Sequence, residues 1–325
     1  MSLDGLAARL SALMRGRVEE NRSLATLTTY RLGGPARVLV EPVDAADLEV
    51  LCRVLADADD VVEVLAVGRG SNLVVSDAGW PGVAVRLGSA FTGIEPWTAP
   101  EGGRGLSAGA GAPLPTVANW AARRGLAGLE WLVAVPGSVG GAVRMNAGAH
   151  GGAVAHTLRR VRLLDLDLQQ SVTRDVAELE LGYRHSNLSD RQLVLAACFV
   201  LEPADPGVVR ERMERFRRHR AATQPGAAQN AGSTFKNPPG DSAGRLVEAA
   251  GLKGLRVGGA SVSDLHANFF MAGEGATAQD VYELVHEVRA AVRERFGIEL
   301  EPEVRFAGRF EDTSAHSATE GTARR

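Results

Sequence analysis

Cysteine and lysine are the scarce residues of this chain. It has two Cys in 325 residues, and of its 36 basic side chains only Lys236 and Lys253 are lysines. Cys52 and Cys198 lie far apart in apolar contexts, so no disulfide framework is expected and both read as small buried side chains of a reducing compartment. Neither these cysteines nor the seven His show a CxxC or HxxxH spacing, so no metal site is expected. No apolar run is long enough to span a bilayer. The opening MSLDGLAARLSALMRGRVEEN mixes acidic and basic residues and lacks the basic start, apolar block and small-residue cleavage site of a signal peptide. The expectation is a cytoplasmic protein without a membrane-inserted segment. A net charge of −3 argues against a general nucleic-acid or membrane-surface binder. A genome that favours Arg codons explains the missing lysines; against that background the two that remain are candidates for positions needing a compact charge on a flexible stem.

What is present reads as a mixture of helices and strands. The N-terminal stretch has the pattern of a short amphipathic helix. A turn at Gly33-Gly34-Pro35 precedes a strand over 37–41, and Asp44 caps a helix whose Leu48, Leu51, Cys52 and Leu55 share one face. VVEVLAVGRGSNLVVSDAGWPGVAVRL gives strand, Gly-rich loop, short strand, turn and strand. PTVANWAARRG is a helix ending at Gly125. A further helix begins at Asp205-Pro206 with Val209, Met213 and Phe216 on one face, and its Arg cluster reads as a solvated side. Thr277 and Asp280 open a long helix with a Val281, Leu284, Val285, Val288, Val292 stripe that stops at Gly297. Residues 298–310 read as a final strand, and the polar 311–325 as a disordered tail.

Five segments carry candidate chemistry. Gly68-Arg69-Gly70-Ser71-Asn72 lies between strands and suits either a plain β-turn or a backbone N–H nest for a diphosphate; it is no GxGxxG, because a strand follows it. The stretch 135–152, with Gly137, Gly140, Gly141, Gly148, Gly151 and Gly152, is too glycine-rich for a helix or ordinary strand. Its interleaved Val, Met and Ala make a backbone wall against a flat or phosphorylated ligand a better reading than a linker. Arg184, in GYRHS, has the chemistry to hold a carboxylate, or is a surface Arg. The segment 230–239 gathers Ser233, Lys236 and Asn237, and no GxSxG elbow accompanies Ser233. In Glu301-Pro302-Glu303-Val304-Arg305-Phe306, alternation puts Glu303 and Arg305 on one face.

Seven segments in this order resemble the bacterial UDP-N-acetylenolpyruvoylglucosamine reductases: TTYRLGG, VGRGSNLVVSDAGWPG, GLEWLVAVPGSVGGAVRMNAGAHGG, LGYRHS, NAGSTFKNP, AGLKGLRVGGASVSDLHANF and LEPEVRFAG. The resemblance covers nearly the whole chain. It implies an α+β fold of the vanillyl-alcohol-oxidase (PCMH-like) type. FAD-binding subdomains would cover 1–85, completed by 298–310, and 86–204, and a C-terminal α+β substrate-binding domain 205–297. It implies non-covalent FAD, NADPH as co-substrate, and reduction of the enolpyruvyl ether of UDP-N-acetylglucosamine to UDP-N-acetylmuramate. That reaction belongs to peptidoglycan synthesis and so to cell-wall biogenesis, cell shape and division. The short distance from Tyr183-Arg184 to Gly232 resembles the shorter form of the family, without an extra Tyr-bearing loop, and a monomer is expected.

Carried over residue by residue, the resemblance implies Arg184, Ser233 and Glu303 as catalytic groups: a carboxylate holder, a proton donor, and an orienting carboxylate. It implies FAD contacts from Val67, Gly68, Arg69, Gly70, Ser71, Asn72 and Leu73, from Pro136, Gly137, Ser138, Gly140, Gly141 and Ala142, and from Asn146, Gly148 and Ala149. Lys236, Asn237 and His266 fall at substrate-binding positions. One departure stands out: the family commonly has Lys where this chain has Thr223, which leaves Arg220, Lys236 or another Arg for the diphosphate. Two rival readings follow. Another flavin oxidoreductase of this fold would hold FAD covalently, with His150 or His156 as attachment points, and a non-catalytic flavin-binding paralogue would have no need of Arg184, Ser233 and Glu303.

Overall fold

A computed structural model describes residues 3–226 and 229–311; from 312 onward, the segment read as a disordered tail lies outside the described residues. The described residues form two compact units, one of 3–22, 36–69 and 81–223, the other of 23–35, 70–80, 224–226 and 229–311.

The first unit contains two sheets. One runs Arg17–Ser23, Pro35–Glu41, Trp80–Val85, Val64–Ala66, with the last two strands parallel. Helices Leu3–Leu13 and Ala45–Ala56 pack with it through Leu6, Leu10, Leu48, Leu51 and Cys52. The expected cap is in place, the Asp44 side chain accepting from the Asp47 N–H. The second sheet is antiparallel, in the order Gln170–Asp175, Leu158–Asp165, Gln192–Val200, Arg104–Gly109, Ile94–Thr98. Helices Leu114–Arg123 and Pro206–Thr223 and the turn Glu130–Ala134 close its core.

The strand Gln192–Val200 serves two cores. Leu193 and Leu195 join the cluster of Val38, Val64 and Val83, while Val194 joins the one containing Leu106 and Val117. Further along, Ala197 and Phe199 point into this second cluster, so the alternation changes phase between Val194 and Ala197. The register explains it: Arg162 faces Ala196 while Leu163 faces Val194, leaving Leu195 as an extra residue. Such a bulge turns the strand and re-aims the residues before it.

Three expectations change here. The glycine-rich stretch does contain a helix, Val139–Arg144. It is short, and Gly140 lets it lie against the sheet, since a Cβ there would stand 3.1 Å from Ala110 Cβ. The helix Pro206–Thr223 belongs to the first unit rather than opening the substrate domain, because Val209 and Met213 are buried in the same cluster as Val117 and Leu132. One of its arginines departs from the solvated reading: the half-buried Arg220 donates to the Ala134 carbonyl, while the exposed Arg212 pairs with Glu130.

The second unit buries the expected stripe of the helix Ala278–Phe296 against Phe235, Leu246 and Phe270. The helix has the capping box Thr277/Asp280, ends on the left-handed Gly297, and also receives the Asp77 carboxylate on the N–H groups of Ala278 and Gln279. A small antiparallel sheet of Arg256–Val257, Ala260–Val262 and Phe270–Ala272 flanks it. The expected final strand shrinks to Arg305–Ala307, which pairs in parallel with Leu73–Val75. Pro302, which has no N–H to donate, interrupts what precedes it.

Asp47 offers a stability test within the first unit. It is 2% exposed, and its carboxylate accepts from the N–H groups of Val43, Arg15 and Gly16. Burial pushes its pKa up, but these three donors and the Arg15 charge outweigh burial and hold it below the usual carboxylate value. Hydrogen bonds to a charged group are worth about 1.5–3 kcal/mol, so Asp47→Asn should lose about that much in urea unfolding at neutral pH. A depressed native pKa gives stability that is full above the unfolded value of about 4 and is lost as pH falls through the native one. The variant and wild-type midpoints should therefore converge in acid.

Candidate functional site

A cavity of about 400 Å³ opens in the first unit. Its wall brings together two of the segments singled out above: Val67, Gly68 and Arg69 from the first glycine loop, and Ser138, Gly140 and Gly141 from the second. Arg86, Arg144, Val85, Leu87, Leu193 and Val194 also line it, as does Glu41, which pairs with Arg86 at 3.0 Å. A Cβ at Gly68 would stand 2.5 Å from Ser138 Oγ, so any larger residue there would require the Ser138 hydroxyl to turn away. Backbone amides and three arginines beside an aliphatic slot suit a diphosphate joined to a flat ring. Residues 192–194 carry no local motif, and the bulge at Leu195 delivers them; Arg144 lies in the glycine-rich stretch but was not singled out.

Ten of the residues expected at a cofactor do not line this cavity. In the first unit, Ala142 is buried in the apolar core, Gly137 accepts from the Leu114 N–H, and Gly148-Ala149 pair with Gly152-Ala153 as a small hairpin. Pro136 also lies off its wall. Asn146 is turned toward the protein, as described next. In the second unit, Gly70 adopts a left-handed φ of 62° and accepts from the Thr29 N–H, and Leu73 is in the parallel strand pair. Ser71 lies beside them in the same unit.

Arg184 sits on a tight turn in which Gly182 and His185 exchange N–H···O bonds of 3.1 and 3.2 Å. Its own φ is 53° and that of Glu180 is 45°, both in the left-handed region that non-glycine residues rarely occupy. Such strain persists only where neighbours hold it. The neighbours are the glycine-rich segment: Asn146 Nδ2 donates to the Gly182 carbonyl at 2.7 Å, Arg184 Nη2 donates to Gly148 O at 2.8 Å, and Ser186 Oγ donates to Arg144 O at 2.7 Å. The Arg144 guanidinium in turn donates to the carbonyls of Leu188, Ser189 and Gln192.

Within the second unit, Ser233 and Glu303 come together. The segment 233–236 bridges 268–269 on one side and 301–304 on the other: Ser233 pairs with Phe269, and Phe235 with Pro302. The Thr234 carbonyl accepts from the Glu303 N–H at 2.8 Å. Asn268, 3% exposed, receives the Phe235 N–H on Oδ1 and donates Nδ2 to the Phe235 carbonyl, imitating a neighbouring strand. The Asn72 side chain donates to the Glu303 carbonyl, and the Arg305 N–H donates to Asn72 O. The sequence reading missed Asn268, whose amide helps hold 233–236 between its two neighbours through isolated bridges.

The expected substrate residues are also in the second unit. Lys236 Nζ pairs with Glu301 Oε1 at 2.5 Å, and Glu301 was not anticipated. Asn237 Oδ1 accepts the Ala243 N–H at the start of the helix Ala243–Ala249. His266 is half-buried edge-on against Phe269, and burial lowers its pKa, favouring neutral imidazole. In the first unit, Thr223 ends its helix with Oγ1 donating to His219 O. His150 stacks on Phe216 at 4.5 Å and meets His219 edge-on, and His156 lies on the single helical turn Val154–Thr157. Among the described residues, no helix is long and apolar enough to cross a membrane.

Comparison with known proteins points one way. Residues 36–167 match the model of an FAD-binding domain. Residues 224–307 match that of the C-terminal domain of UDP-N-acetylenolpyruvoylglucosamine reductase. The chain is 45% identical over 297 residues to the reductase of that name from Methylorubrum extorquens, covering 91% of this chain and 93% of the relative. It is 41% identical over 305 residues to that of Geobacter sulfurreducens, covering 94% and 99%. The crystal structure of the Thermus caldophilus enzyme superposes with a TM-score of 0.74 at 37% identity, covering 91% of this chain and all of the other.

Proposed function

Because the chain belongs to the UDP-N-acetylenolpyruvoylglucosamine reductase family, we propose that its first-unit cavity serves FAD and that Arg184, Ser233 and Glu303 act on the enolpyruvyl substrate. The protein is an FAD-dependent oxidoreductase that uses NADPH to reduce UDP-N-acetylglucosamine enolpyruvate to UDP-N-acetylmuramate in peptidoglycan synthesis. The observation that carries this conclusion is identity above 40% along nearly the whole of two reductases. We assign the reaction to the cytoplasm, where nucleotide sugars and NADPH are made, and to a monomer.

The cavity fits part of the cofactor: Val67, Gly68, Ser138, Gly140 and Gly141 bring backbone close, Arg69, Arg86 and Arg144 bring charge, and Leu87, Leu193 and Val194 offer an apolar wall. The bound flavin supplies a two-electron relay between NADPH and the enolpyruvyl carbon. The remaining work falls to side chains. When hydride reaches C3 of the enol ether, negative charge develops at C2 and spreads onto the adjoining carboxylate. Arg184 holds that carboxylate with a planar pair of donors and stabilises the added charge. Ser233 donates its hydroxyl proton to C2. A serine is a weak acid, but a carbanion is a far stronger base, so a hydroxyl held at hydrogen-bond range suffices. Glu303 orients the same carboxylate region or shares a proton with it. The direct pairing of the Ser233 and Glu303 segments supports a shared task for these two.

Purified protein should be yellow and should release its flavin to the supernatant on acid precipitation. NADPH consumption should require the enolpyruvyl nucleotide and yield a product heavier by two hydrogens in mass spectrometry. Flavin retained in the pellet would favour the covalent rival. NADPH consumption independent of the nucleotide would contradict the substrate assignment.

A further inference from the structure

The residues around Arg184 assign a task to Asn146 that differs from cofactor contact. Asn146 is 7% exposed and left-handed, with φ 40°. Asn is among the few side chains that adopt this conformation at low cost. Its amide is fully directed inward: Oδ1 accepts the Ala155 N–H at 2.9 Å, and Nδ2 donates at 2.7 Å to the carbonyl of Gly182. Gly182 is one end of the turn that displays Arg184, and its carbonyl also receives the His185 N–H that closes the turn. Arg184 and Ser186 reach back to the carbonyls of Gly148 and Arg144, on either side of Asn146. A strained turn is thus fastened to one short segment at three points, of which Asn146 provides the buried one.

We propose that Asn146 is a positioning residue for Arg184, setting the backbone turn from which the guanidinium meets the substrate carboxylate. This rests on the reading of Arg184 given above. Reactions that depend on oriented charge lose about a hundredfold from a displacement on the order of 1 Å. The consequence should therefore appear in the substrate step and not in the NADPH step.

Asn146→Asp isolates the relevant bond. Aspartate tolerates the same backbone and still accepts from Ala155, but it faces the Gly182 carbonyl with an acceptor in place of a donor. In stopped flow on the holoenzyme, this variant should keep its FAD and be reduced by NADPH at close to the wild-type rate. Its reoxidation by the enolpyruvyl nucleotide should slow about tenfold to a hundredfold. The loss should fall mainly on the limiting rate rather than on the half-saturating concentration. In an Arg184→Ala background the same change should add almost nothing, because the residue it positions is gone. Ser186→Ala, which releases a less buried tether, should show the same pattern at roughly a few-fold. It decides the matter if Asn146→Asp does not fold.

Loss of FAD or equal slowing of both steps would make Asn146 a cofactor or general structural residue and overturn the proposal. So would a normal substrate step, or slowing that multiplies with that of Arg184→Ala. Should Arg184→Ala itself leave the substrate step intact, the assignment of Arg184 fails first and takes the proposal with it.

Discussion

Replacing Ser233 with Ala should leave reduction of the flavin by NADPH nearly unchanged and slow its reoxidation by the enolpyruvyl nucleotide roughly 10²–10⁴-fold, the usual worth of a positioned general acid. The asymmetry follows from the proposed role, which begins only once the substrate has accepted hydride. The fold should survive, because the Ser233 backbone pairs with Phe269 and its neighbours Thr234 and Phe235 are held by Glu303 and Asn268, all through main-chain groups or the Asn268 amide. Ser233→Cys keeps an acidic proton at nearly the same place and should retain more activity than Ala. Equal slowing of both halves would make Ser233 structural. If neither half slows, the proton comes from elsewhere, and Glu303 is the next candidate.

Arg184→Ala should cost about 10²–10³-fold in the substrate half, the scale set by removing one donor to a developing anion. The NADPH half should again be spared. Arg184→Lys should rescue only part of the loss, since an ammonium is a point charge and cannot present two parallel donors to a carboxylate. Comparing the half-saturating concentration and the limiting rate separates two roles. A residue that only binds raises the first, and one that stabilises transition-state charge lowers the second. Single-turnover reoxidation across a range of substrate concentrations gives both.

Much of the fold was legible where side chains act locally. The Asp44 cap, the stripe and capping box of the helix 278–296, and the strands on either side of Gly68-Arg69-Gly70 follow from period and cap chemistry alone. What failed was non-local. The glycine content of 135–152 argued against a helix, yet Val139–Arg144 forms one because the sheet supplies the packing its own side chains lack. The helix 206–223 followed its apolar stripe into the first unit, and the sequence could show that stripe but not its partner. For the candidate site, Arg184, Ser233 and Glu303 were named through family resemblance alone, with nothing in their spacing to join them. Asn268 and Arg144 lie within family segments but were not singled out, because a residue that pairs with distant backbone leaves no periodic trace. The bulge at Leu195 is likewise invisible until Arg162 and Leu163 are seen facing Ala196 and Val194.

The central claim is that one flavin is reduced by NADPH and reoxidised by an enolpyruvyl nucleotide on this chain. An anaerobic stopped-flow experiment in two mixes tests it most directly. NADPH should bleach the yellow absorbance of the purified protein, and UDP-N-acetylglucosamine enolpyruvate added next should restore it, with UDP-N-acetylmuramate formed in proportion to the flavin. A protein that NADPH does not bleach, or whose colour returns only when oxygen is admitted, would contradict the account.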